Sequence, residues 1–192
     1  EMRLAQGQGD DLPARLATIQ NGFGRVGQEL ELLAGKAAQM EASEAELLNL
    51  AAVAREQLAF WKADSYFKHQ IQLDGDLDQS GPLVRACQAD LALAFNALVA
   101  NAVEALAAAR GVGLRVRAGL FAGRPGLEVG DDAPGPDPAL APRLFEAFAG
   151  DKQPPHDGLG LFLAQEALRP WGGEIQFVAQ PEKVFRLVLP PA

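Results

Sequence analysis

Residues 91–110, LALAFNALVANAVEALAAAR, decide how the rest of the chain is read. The run is rich enough in Ala, Leu and Val to be a buried helix, yet it carries Asn96, Asn101 and Glu104. At about 100° per residue, Leu91, Phe95, Leu98, Ala102, Ala105 and Ala109 form one apolar stripe. Asn101 and Glu104, three residues apart, fall together off that stripe beside Ala97. Asn96 lies roughly 140° around from Asn101, so the two amides do not work as a pair. The pattern predicts a core helix that turns one amide and one carboxylate toward something polar.

Composition excludes several classes of function. The chain has 192 residues, 48% of them hydrophobic, enough for one domain or two small ones with a packed core. Twenty-five acidic against seventeen basic residues give a net charge of −8, which argues against nucleic acid or an anionic membrane surface as partner. The most apolar run, residues 91–109, is interrupted by three polar side chains. No stretch reaches the ~18–20 uninterrupted apolar residues of a membrane span, and no signal peptide is visible. Cys87 is the single cysteine, so no internal disulfide forms; it reads as a small buried hydrophobe and fits a reducing compartment. A cytoplasmic location is expected. The chain opens on Glu1 rather than Met, as a fragment of something longer would.

Two periodicities divide the chain. Leu12, Leu16, Ile19, Phe23, Val26, Leu30 and Leu33 are spaced alternately by four and three, a heptad seam. It runs in spite of Gly22, Gly24 and Gly27, each of which costs ~1 kcal/mol relative to Ala inside a helix. Ser43 and Glu46 have the spacing of a capping box, which predicts a second helix through Leu47, Leu50, Ala51, Ala54, Leu58 and Trp61 to about Asp64. One hairpin of this kind cannot cover its own seam, so pairing with a second copy into a four-helix bundle is expected. Beyond it, strands are predicted at 69–77, 114–121, 127–129, 174–179 and 184–189, and helices at 86–110 and 159–168. The fold class expected is α+β: an antiparallel helical hairpin over residues 1–65 forming a dimeric bundle, then an α/β two-layer sandwich over 66–192. The proline-rich stretch 134–157 reads as a mobile flap, with a short helix at LFEAF, residues 144–148.

Three segments carry chemistry. The first is the helix with Asn101. In LEVGDDAPGPD, residues 127–137, Asp131 follows a strand, where its carboxylate can accept from a ligand amino group, and Gly135 lets backbone approach closely. In HDGLGLFLAQEAL, residues 156–168, Gly158 and Gly160 open a helix whose free N–H groups and positive dipole end suit phosphate.

Taken in order, NAVEAL (101–106), VGDDAPG (129–135), LFEAFAGDK (144–152), GLGLFLAQEAL (158–168) and WGGEI (171–175) resemble the catalytic ATP-binding domain of sensor histidine kinases, the Bergerat-type nucleotide fold. The resemblance spans about residues 66–190, and residues 12–64 look similar to the family's dimerising hairpin, which carries the phosphoacceptor histidine. It implies ATP and Mg²⁺ as cofactors. Asn101 would hold the magnesium that bridges the phosphates, and Asp131 would receive the adenine amino group. Gly135 would clear room for the base, Gly158 and Gly160 would wrap the phosphates, and Lys152 would touch the terminal ones. Implied partners are a second copy of the chain and a response-regulator receiver domain or another histidine kinase, with no nucleic acid and no direct membrane contact.

The departures from the family pattern are as informative. Aligning "QN" and "ELELL" of the first helix puts Ala17 where the acceptor histidine belongs and Thr18 where an acid follows it; residues 1–68 contain no histidine at all. His69 and His156, the only two in the chain, stand at the start of a predicted strand and in the glycine box. Ala97 replaces a polar residue one turn before Asn101. Ala133 replaces a glycine after Asp131, at ~1–2 kcal/mol if its φ must be positive. Asp157 sets a carboxylate beside the phosphate cradle, where like charges at 4 Å oppose each other by about 4 kcal/mol near a protein surface. The sequence therefore predicts a histidine-kinase-like pseudokinase that does not autophosphorylate and works by docking, with Ala17, Gln20, Asn21 and Arg25 as contact positions. The alternatives are an ATP-binding kinase that phosphorylates a histidine in trans or hydrolyses ATP, and a phosphotransfer protein with a vestigial nucleotide domain.

Overall fold

At Glu46 the chain runs as an extended strand. The structure, a computed structural model, describes residues 44–149, 158–179 and 183–192. Strand β1 (Glu46–Asn49) is followed by helices α1 (Leu50–Trp61) and α2 (Ser65–Gln70), strands β2 (Gln72–Asp76) and β3 (Leu83–Ala86), and the long helix α3 (Gln88–Ala109). β4 (Gly113–Phe121) and β5 (Arg124–Asp131) form a hairpin. A 3₁₀ turn (Ala141–Arg143), α4 (Gly160–Leu168), a second 3₁₀ turn (Arg169–Trp171), β6 (Glu174–Val178) and β7 (Val184–Val188) complete the order. Five strands form one sheet in the order β2-β4-β5-β7-β6, antiparallel except for the parallel pair β2–β4, while β1 and β3 pair separately.

Helix α3 forms for the reason its periodicity gives. Leu91, Phe95, Leu98, Ala102 and Leu106 are buried, joined by Ala94 and Val99. With α1 and α4 they cover one face of the sheet, against Leu114, Val116, Leu127, Val129, Phe185 and Leu187. The result is a two-layer α/β sandwich. By length and composition alone α3 could cross a membrane; in this fold its apolarity fills the space between sheet and helices. The helix ends where Arg110 turns left-handed, with φ 57°, and the Gly111 N–H donates to the Leu106 carbonyl at 3.0 Å.

Several expectations are corrected here. No helix starts at Glu46: β1 pairs with β3, Leu47 opposite Arg85 and Leu48 opposite Val84, and the helix begins at Leu50. Its cap is Asn49, whose Oδ1 accepts from the Ala52 N–H at 3.0 Å while its amide donates to the Gly81 carbonyl at 2.9 Å. Helix α1 buries Leu50, Val53, Ala54 and Leu58 in the core that α3 occupies, and the compact unit runs from Glu44 to Ala192. The predicted boundary at residue 65 thus falls inside that unit, because the three-and-four spacing of α1 is that of any amphipathic helix. The stretch predicted as a strand from His69 begins as α2, capped by Asp64 accepting from the Phe67 N–H at 2.8 Å. His69 is therefore an exposed helical residue. Residues 144–148 are not helical; Leu144 is buried instead, and Phe145 packs edge-on against Phe185 at 6.5 Å. Strand β5 starts at Arg124 because Ala122 and Gly123, with φ 50° and 81°, make a two-residue turn with both residues left-handed, the geometry that suits a twisted hairpin. Cys87 is partly exposed at the start of α3. The heptad seam at 12–33 lies outside the described residues.

Candidate nucleotide-binding site

Strand alternation sends Leu127 and Val129 of β5 into the core, so Asp131, two residues on, also faces the helices. The antiparallel register pairs Gly126 with Val188 and Gly130 with Val184. Continued by one residue, it sets Asp131 opposite Lys183. The Lys183 Nζ donates to Asp131 Oδ1, which also accepts from the Ala133 N–H at 3.0 Å, and Nζ reaches the Pro134 carbonyl at 3.4 Å. The Asp131 side chain is 2% exposed and that of Lys183 12%, so this is a buried ion pair.

Burial pushes the Asp131 carboxyl above the ordinary carboxylate range. The Lys183 hydrogen bond and charge and the Ala133 amide pull it down, and the neighbouring Asp132 adds to the rise. A carboxyl whose folded pKa exceeds its unfolded one stabilises the fold fully below the ordinary carboxylate range, and that contribution is lost as pH climbs through the folded pKa. Lys183→Ala removes the largest opposing interactions, so the Asp131 titration moves further up, followed by carboxyl carbon NMR; an unmoved titration would contradict the pairing.

A Cβ placed on Gly135 would meet Lys183 Cδ at 3.6 Å and Cγ at 4.0 Å. The lysine stem therefore lies over Gly135 while its head rests on Asp131. The Cβ strain expected at Ala133 is absent, since the non-glycine residues with positive φ among the described ones are Arg110, Ala122 and Phe148. Ala133 packs in the core instead.

Gly158 has φ 66°, and a Cβ there would meet the Phe148 carbonyl carbon at 3.1 Å and that of Ala149 at 3.2 Å. Conformation and space both require glycine at that point. Gly160 begins α4, whose N-terminus has no side-chain cap, and α4 packs along α3. Asn101 and Glu104 are half-buried on α3. Asn96 points away, as its helical angle predicts: its Oδ1 accepts from Trp61 Nε1 at 2.9 Å, and its Nδ2 donates to Gln57 Oε1 at 2.9 Å. This amide ties α3 to α1. Asn96→Ala strands both partners and should cost about 1–2 kcal/mol in a denaturant melt; an unchanged midpoint would remove the structural role.

A cleft of about 540 Å³ opens at this end of the sheet, lined in part by Leu73, Leu114, Gly130, Asp131, Asp132 and Lys183. Asn101, Gly135, Gly158 and Gly160 do not line it. The structure thus joins Asp131 and Gly135 through Lys183 and sets the two glycines at the start of α4. Among the described residues no group of three His, Cys, Asp or Glu side chains could hold a metal. Lys152, His156, Asp157 and the contact positions Ala17, Gln20, Asn21 and Arg25 lie outside the described residues.

Sequence reasoning missed Lys183, whose one signal is its place two residues before Phe185, on the core-facing side of β7. It also missed Asp90, buried at the start of α3, whose Oδ2 accepts from Trp171 Nε1 at 3.0 Å and binds the WGG segment to that helix.

Residues 87–192, more than half of the chain, match the family described as histidine kinase-, DNA gyrase B- and HSP90-like ATPases. The chain belongs to this ATPase family. Solved structures share the fold of this family member. The Acinetobacter baumannii histidine kinase AdeS is 18% identical with a TM-score of 0.64, over 97% of this chain and 87% of that one. The nucleotide-free catalytic domain of histidine kinase ThkA is 22% identical with a TM-score of 0.65, over 77% and 96%. Full-length ShkA in complex with AMPPNP is 22% identical with a TM-score of 0.63, over 77% of this chain and 31% of that one. No curated protein matches the sequence. ATP is the ligand of the family, and in this chain the Asp131 carboxylate, the residue the resemblance sets against the adenine amino group, holds the Lys183 ammonium.

Proposed function

We propose that the chain is a histidine-kinase-like component of two-component signalling, a pseudokinase that docks a partner without phosphorylating itself. The observation that carries this reading is in the sequence: residues 1–68 hold no histidine, and Ala17 stands at the acceptor position of the family's first helix. A methyl group cannot form a phosphoramidate. His69, exposed on α2, belongs to the sandwich rather than to a dimerising helix. Membership of the ATPase family and the shared fold of histidine kinases support the class of system. In this reading the heptad helix over residues 12–33 pairs two copies of the chain in the cytoplasm. Ala17, Gln20, Asn21 and Arg25 then face a receiver domain or another histidine kinase.

A second reading has one observation behind it: the uncapped α4 N-terminus with Gly158 and Gly160 is kept. On that reading the chain binds Mg-ATP and phosphorylates a histidine in trans or hydrolyses ATP. Incubation with γ-labelled ATP, magnesium and a receiver domain separates the two. The proposal expects an unlabelled chain and receiver binding unaffected by nucleotide; an acid-labile phosphate on the chain, or nucleotide-dependent labelling of a partner, contradicts it.

A further inference from the structure

We infer that Lys183 is a built-in occupant of the adenine position, holding the pocket shut against purine. The inference rests on reading Asp131 and Gly135 as the two sides of that pocket. An adenine there needs a free carboxylate for its amino group and open space over the glycine. Lys183 takes both: its Nζ donates to Asp131 Oδ1 and reaches the Pro134 carbonyl at 3.4 Å. Its Cγ and Cδ stand 4.0 and 3.6 Å from where a Gly135 Cβ would be. The lysine mimics the donor of the base with its head and the bulk of the base with its stem. Its position is set by the fold, since the β5–β7 register carries Lys183 to the place opposite Asp131. Neither side chain is exposed enough for water to dissolve the pair, at 12% and 2%. A base entering this slot must break a charge-assisted hydrogen bond and expel the stem. Such bonds are worth about ten- to a hundredfold in an equilibrium constant. Lys183 thus sets the ligand preference of the site, against a neutral base that offers only an amino donor.

Calorimetric titration of the full chain with adenosine tests this without involving phosphate or metal. Wild type is compared with K183A and with K183T, a short β-forming side chain whose hydroxyl still donates to Asp131 and keeps the buried carboxylate partnered should the alanine variant not fold. Circular dichroism checks the fold of each. The expected result is at least about tenfold tighter adenosine binding in the folded variants than in wild type. That gain should vanish when Asp131→Ala is added to K183A or K183T. Equal binding by wild type and variants, weaker binding by the variants, no binding by any of them, or a gain that survives loss of Asp131 overturns the inference. Phosphorylation is not read in this experiment. Tight wild-type binding of adenosine would sink the occupant while leaving the missing acceptor histidine as it is, and a labelled chain would sink the pseudokinase while leaving the occupant intact.

Discussion

Phe95→Ala should lower the unfolding free energy of the Glu44–Ala192 unit by about 3–5 kcal/mol. Among the described residues Phe95 is the largest fully buried side chain, and it lies on α3, the helix that meets α1, α4 and the sheet. Truncation removes the apolar contacts of a fully buried ring in the core cluster and leaves a cavity that the surrounding elements close only by moving. Folded domains hold about 5–15 kcal/mol, so the variant loses a large part of its reserve. A urea melt followed by far-UV circular dichroism reads the loss as a lower midpoint at unchanged slope. A drop below about 1 kcal/mol would mean that α3 is not the centre of the core.

Glu128→Ala should cost nearly as much, from the opposite face of the sheet. The register sets Glu128 between Arg117 of β4 and Arg186 of β7. Arg186 Nη2 and Nε both donate to Glu128 Oε2, at 2.5 and 3.1 Å, and Arg117 Nη1 stands 3.7 Å from Oε1. The glutamate side chain is 8% exposed and that of Arg186 21%. Breaking a buried pair by removing one partner costs about 3–5 kcal/mol, and the lower end applies because Arg186 keeps some water and its stacking on Phe121 at 4.3 Å. The control is the double change Glu128→Leu with Arg186→Met, which removes both charges at similar volume and should be close to neutral. If the single and double variants melt alike, the charges contribute nothing and packing alone explains the loss.

How much of this was legible in the sequence varies with the physics of each element. Helix α3, β4 and α4 announce themselves because one face of each is buried and the apolar period follows, while β7, buried on both faces except at Arg186, reads as a short apolar run. Strands β1 and β3 do not. Each is four residues long and pairs with the other across more than thirty residues of chain, so no local pattern marks them. Leu47 and Leu48 fit a helix as well as a strand, and the cap at Asn49 decides only once Gly81 is folded against it. The start of β5 was hidden by Pro125 and Gly126, which read as loop until the Ala122–Gly123 turn places them opposite Leu120 and Gly119. The placement of Asp131 at the end of β5 and of Gly158 and Gly160 at the start of α4 was legible, because turn and strand-end chemistry is written locally. Asn96 was correctly set apart from Asn101 by helical angle alone. Lys183 was not legible, since a lysine before a strand is ordinary surface chemistry until the β5–β7 register turns it toward Asp131.

The most direct test of the central claim, a family fold whose base pocket is filled by its own side chain, is the crystal structure of the wild-type chain grown with saturating magnesium and a non-hydrolysable ATP analogue. The account predicts Lys183 Nζ on Asp131 and its stem over Gly135, with no purine between them. A base seated on Asp131 with Lys183 swung away would contradict it.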